Sequence, residues 1–185
     1  ESRFVYYSTK YGPTRGAAAK ILAVFIIATM LYWSGMLLMS LMSFGGMGTG
    51  GAFASIQTES PYSMYGLNFL ERYLLILLSG YVACLFSAGM TLLLFVKTKS
   101  AISAMSISFL LFAGLPLLAG NDAFESFRML TPDRLFHVQD NMNNPCVYQF
   151  GTIVCSRVTL LIALYSFLLI PTVVLSYRGF RKGSM

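Results

Sequence analysis

Residues 8–44 read STKYGPTRGAAAKILAVFIIATMLYWSGMLLMSLMSF, and the change of character inside that stretch decides the fold. Up to Lys20 the stretch is polar, with cations at Lys10, Arg15 and Lys20. From Ile21 to Phe44 it holds no charged residue. A helix needs roughly 20 consecutive apolar residues to cross the hydrocarbon core of a bilayer, and residues 21–44 satisfy that length. The order predicts a short docking segment outside the membrane that feeds directly into a span.

Working outward, the same pattern recurs. Residues 73–96, 101–119 and 158–177 are also long, apolar and free of Asp, Glu, Lys, Arg and His. Of the 185 residues, 56% are hydrophobic and 11% charged, against about 25% charged in average soluble domains. So little charge cannot cover a globule, and lipid is the natural solvent. The expected fold is all-α: a polytopic α-helical membrane protein with four visible transmembrane helices and short external amphipathic helices. A cleaved signal peptide is not expected, because the first apolar run is too long and no small-residue cleavage site follows a short core.

The net charge of +6 invites a nucleic-acid reading, which its distribution excludes. Arg3, Lys10, Arg15 and Lys20 precede the first span, Lys97 and Lys99 join the second to the third, and Arg178, Arg181 and Lys182 follow the last. Glu59, Glu71, Asp122, Glu125, Asp133 and Asp140 fall in the other two loops. Cations on alternate loops are the positive-inside signature. Both termini and residues 97–100 are therefore expected to be cytoplasmic.

Phe4, Tyr7 and Tyr11 fall at helical spacing and share one face. Gly12–Pro13 reads as the stop of that helix, since Gly accepts a left-handed cap and Pro cannot continue the turn. Ser8–Thr9–Lys10–Tyr11–Gly12, followed by Arg15, by Ala19–Lys20–Ile21 and by a long span, resembles the permease subunits of ABC transporters of the exporter-like type 2 class. The resemblance extends to the paired spans, the external segment before the last span, and Tyr148–Gln149–Phe150–Gly151 ahead of that span. It implies that residues 1–20 form a cytoplasmic coupling segment in which Phe4, Tyr7, Lys10, Tyr11 and Gly12 dock on an ATP-hydrolysing subunit. It implies that residues 21–185 form the transmembrane domain. Such permeases have six spans, so these are expected to be the last four, with two more before Glu1.

Gly46, Gly48 and Gly51 match a dinucleotide-binding glycine pattern in spacing only; no strand precedes them, and they fall in a loop on the side away from ATP. In the second span Ser79, Ala83 and Ser87 recur at four-residue steps with Gly80, Cys84 and Ala88 beside them. Small residues at that spacing let helices approach closely in lipid, either within the subunit or across a dimer. In the external segment 121–157, Phe124, Phe127 and Leu130 have helical spacing. Thr131–Pro132–Asp133 then reads as the start of a second short helix, with Leu135, Phe136 and Val138 on its apolar side. Both pieces are expected at the outer membrane surface.

Cys146 and Cys155 share the expected external side, where a disulfide is permitted and two free thiols are the alternative. His137, the one histidine, has no cysteine pair near it, so a metal site is not expected. The spans carry none of the ionisable residues that mark proton- and ion-coupled carriers. The expected function is the permease subunit of an ABC transporter in the bacterial plasma membrane. Catalysis and ATP would belong to the partner ATPase subunit, with no cofactor held by this chain, and a second permease subunit would complete the path. The competing readings are a secondary carrier or channel fragment, and a membrane anchor without transport function.

Overall fold

A computed structural model describes residues 12–59, 65–114, 130–143, 147–150 and 152–182. Phe4, Tyr7, Lys10 and Tyr11 lie outside the described residues, as do 115–129, Cys146 and Gly151. The described chain is nearly all helix. Helix α1 runs over Gly12–Met47, α2 over Phe69–Thr98, α3 over Ala101–Phe109, α4 over Val138–Asn143 and α5 over Arg157–Lys182. Strands β1 (Val147–Phe150) and β2 (Ile153–Ser156) form an antiparallel hairpin between α4 and α5.

Three helices are long and apolar enough to cross a membrane: Thr14–Gly46 within α1, Phe69–Thr98, and Arg157–Arg181 within α5. The first starts earlier than the sequence suggests. Gly12–Pro13, read as a stop, opens α1 instead. Proline is well placed in a first turn, where its missing N–H costs nothing, and Ala17, Ala18 and Ala19 are strong helix formers. The polar residues from Gly12 to Lys20 are thus the first turns of α1 rather than a separate segment.

The third expected span is described only in part. Its described part is Ala101–Gly114, an apolar helix below spanning length. It starts at Ser100, whose hydroxyl accepts from the Ser103 N–H at 3.4 Å, and passes into a π-helical turn over Leu110–Gly114. Residues 115–119 lie outside the described residues.

Helix α2 is the hub, packing on α1, α3 and α5. Its start is fixed by Glu71 Oε2, which accepts from the Asn68 N–H at 2.9 Å. Its end is Lys99, in the left-handed conformation at φ 55°, whose N–H reaches the Phe95 carbonyl at 2.9 Å. Toward α5 it contributes Ala83 and Phe86 to a core completed by Leu161, Tyr165 and Leu135. The Phe86 and Tyr165 rings meet edge to face at 4.8 Å between centroids, and Tyr165 donates to the Leu130 carbonyl at 2.7 Å.

Leu135 comes from a 3₁₀ turn over Pro132–Leu135, with Thr131 as its extended N-cap residue. The expected helix start is therefore present, as a 3₁₀ turn. Its setting differs from a piece lying on the membrane surface. Leu135 is 1% exposed and wedged between α2 and α5, whereas Phe136 is 52% exposed. Ser79 Oγ donates to the Leu135 carbonyl at 2.7 Å and pins the wedge. A second cluster, Val138, Met142 and Val158, continues the packing onto α4. Beside it Asn141 donates to the Arg134 carbonyl at 2.8 Å and accepts from Arg157 Nη1 at 3.3 Å. Arg72, also buried, pairs with Glu59 at 3.0 Å and ties the loop after α1 to α2.

One end of the bundle is basic. The start of α1, the end of α2, the start of α3 and the end of α5 meet there: Lys20 lies over the Phe180 ring, Phe95 faces Phe180, and Val96 packs against Gly179. Arg15, Lys20, Lys97, Lys99, Arg178 and Arg181 belong to this end. Among the described residues the acids Glu59, Glu71, Asp133 and Asp140 all belong to the other. The alternation of charge along the chain becomes a separation of charge in space.

Candidate functional site

The small-residue pattern of α2 divides between two neighbours. Ser79 and Ala83 are fully buried toward α5 and the Pro132–Leu135 turn. Gly80 and Cys84 face α1. A Cβ on Gly80 would lie 2.8 Å from the Tyr32 hydroxyl, so only glycine lets Tyr32 reach the Leu77 carbonyl, to which it donates at 2.6 Å. The Cys84 thiol approaches the Ala28 carbonyl at 3.7 Å. Further along the same seam Thr29 and Tyr81 share a hydrogen bond at 3.2 Å, and Ser40 bonds Tyr73. Tyr32, Trp33 and Tyr81 stack as a cluster with centroids 5.5–6.0 Å apart. Such interhelical hydrogen bonds average about 0.6 kcal/mol in membrane bundles; their number along one seam fixes the register of α1 on α2.

Leu31 of α1 and Cys84 of α2 stand at one end of the open space beside this seam. From there to the basic end a cleft of about 790 Å³ opens between α1, α2 and α3. Its space follows from side-chain size: Ala23 and Ala28 of α1 stand across from Ala88 of α2 and Ala101 and Ala104 of α3. The hydroxyls in its wall are engaged. Ser87 donates to the Cys84 carbonyl at 2.9 Å, and Thr91 to the Ser87 carbonyl at 2.8 Å while bonding Ser108 of α3 at 3.0 Å. The wall is thus effectively apolar. Among the described residues its one cation is Lys20, which stands at the basic end, 5.5 Å from the centre of the Phe180 ring. Sites for drug-sized ligands span about 300–1,000 Å³ and are lined mostly by apolar groups. This arrangement suits an apolar or amphipathic body with any negative group toward Lys20.

The expected docking residues Phe4, Tyr7, Lys10 and Tyr11 lie outside the described residues, and Gly12 is the first residue of α1. Of the expected thiol pair, Cys155 is half-buried and stands opposite Tyr148 in the hairpin, while Cys146 lies outside the described residues. His137 sits beside Asp133, Nδ1 to Oδ1 at 3.5 Å, and among the described residues no group of three His, Cys, Asp or Glu side chains could hold a metal.

Lys20 was noted in the sequence only as a cation before the first span, and Thr91 and Phe180 were not singled out. Their signal was present only as a cation or a hydroxyl near a span end, which becomes a site once three helix ends converge. The chain matches no protein-family model, no curated protein and no solved structure.

Proposed function

We propose that this chain is the permease subunit of an ABC transporter in a bacterial plasma membrane, with its basic end and both termini in the cytoplasm. A separate ATPase subunit docks on the coupling segment, residues 1–20, through Phe4, Tyr7, Lys10, Tyr11 and Gly12, and a second permease subunit completes the translocation path. The observation that carries the reading is the continuity of α1. It begins at Gly12, the last residue of the aromatic and cationic docking motif, and continues without a break into one wall of the cleft. A partner that shifts the docking motif therefore shifts that wall. ATP binding biases the resulting equilibrium only by binding the two arrangements with different affinity. The positive-inside sorting of Lys and Arg supports the orientation, and the uncharged spans agree with energy that arrives by mechanical contact rather than by an ion.

The experiment is co-purification. Aromatic anchors at interfaces often contribute about 2 kcal/mol or more each, so replacing Tyr7 and Tyr11 with alanine should release the ATPase subunit and abolish transport at an unchanged membrane level. A double variant that keeps both partner and transport defeats the reading.

A further inference from the structure

On the opposite side of α1 from the cleft, a second apolar groove of about 650 Å³ runs between α1 and α5. Leu22 and Phe25 of α1 face Leu169 and Val173 of α5 across it, and Arg178 and Arg181 stand at its basic end. Leu22 is 60% exposed, so the groove is open to the outside at that residue. Two guanidinium groups one helical turn apart, at the mouth of an apolar channel beside spanning helices, present the two halves of one amphiphile: a chain and a negative head.

We propose that this groove binds an anionic phospholipid, with an acyl chain laid between α1 and α5 and its phosphate held by Arg178 with Arg181 beside it. Guanidinium donors match phosphate oxygens in a bidentate fork, and basic pockets between transmembrane helices are a recurrent form of anionic-headgroup recognition. Charge complementarity favours this occupant over a neutral lipid. Among the described residues the carboxylates Glu59, Glu71, Asp133 and Asp140 all belong to the far end of the bundle, so the mouth lies at the cationic end. The proposal requires that α1 and α5 sit in a bilayer and is independent of any transport role.

The test uses the full chain in nanodiscs of equal phosphatidylglycerol and phosphatidylcholine with matched acyl chains, read by mass spectrometry of the lipid that stays bound. The wild type should retain phosphatidylglycerol over phosphatidylcholine by about five- to thirtyfold, the range set by one or two surface cations. Arg178→Gln combined with Arg181→Gln should bring that ratio near one. Leu22→Trp, which fills the groove and leaves both arginines, should also lower phosphatidylglycerol retention. Lys97→Gln with Lys99→Gln removes equal charge from the same end away from the groove and should leave the ratio unchanged. Equal retention of both lipids by the wild type would mean annular lipid only and overturns the proposal. A loss in the lysine variant as large as in the arginine variant, or full retention in Leu22→Trp, overturns it as well, because the end would then attract lipid by charge alone.

Discussion

Leu135→Ala tests whether the Pro132–Leu135 turn is a wedge in the bundle. The substitution removes most of a side chain that is 1% exposed and enclosed by Ala83, Phe86, Leu161 and Tyr165. Buried Leu→Ala changes cost about 2–5 kcal/mol, more where the site cannot collapse. Collapse is restricted here, because the Leu135 carbonyl stays bonded to Ser79 and the Tyr165 hydroxyl stays bonded to Leu130. The cost should therefore fall at about 3 kcal/mol, which is roughly a hundredfold in the unfolding equilibrium. Phe136 is the internal control. It neighbours Leu135 but is half exposed, so Phe136→Ala should stay within about 0.5 kcal/mol. Steric trapping in detergent micelles reads both values. If Phe136→Ala costs as much as Leu135→Ala, the turn is held by a ring lying in the membrane surface, and the wedge is wrong.

Gly80→Ala should displace the Tyr32 hydroxyl from the Leu77 carbonyl and destabilise the α1–α2 seam; adding Tyr32→Phe should recover part of the loss in the same unfolding assay, and no recovery would place the cause elsewhere. Single cysteines at Ser8 and Ser184, in a background without native cysteines, should resist an impermeant thiol reagent in intact cells, and labelling at both positions would invert the proposed orientation. Cys146 and Cys155 should be linked in an oxidising compartment, because the loop between them is short and closes at low entropy cost; non-reduced peptide mapping checks this, and two thiols alkylated without prior reduction would rule the bond out.

The spanning helices were legible because an uncharged apolar run longer than a bilayer core has few alternatives. Where the chain is shorter or mixed, local signals competed. Gly12–Pro13 carries a stop signal for the residues before it and a start signal for those after it, and α1 took the second. The hairpin was missed although Val147–Tyr148–Gln149–Phe150 and Ile153–Val154–Cys155 are rich in β-branched and aromatic residues around a two-residue Gly151–Thr152 connection, a recognised hairpin signal. Its proximity to a span drew the reading toward a membrane motif instead. Leu135 and Phe136 are neighbours of equal apolar character, and only the bundle decides which is enclosed. The cleft was not legible at all: alanines on three separate helices define it, and a void has no sequence signature until the helices around it are placed.

The separation of charge between the two ends also has an electrical consequence. In a bilayer polarised by 100 mV, each elementary charge moved across the potential changes the energy by about 2.3 kcal/mol. The orientation that sets Arg15, Lys20, Lys97, Lys99, Arg178 and Arg181 on the negative side is favoured by the sum over those cations. Among the described residues the far end adds weakly to this preference, since Glu59, Glu71, Asp133 and Asp140 there outnumber Arg72, Arg134 and Arg157 by one. The vote is spread over several helix ends, so the loss of one cation leaves the majority intact. Inversion of the inserted chain would require neutralising several of these positions together.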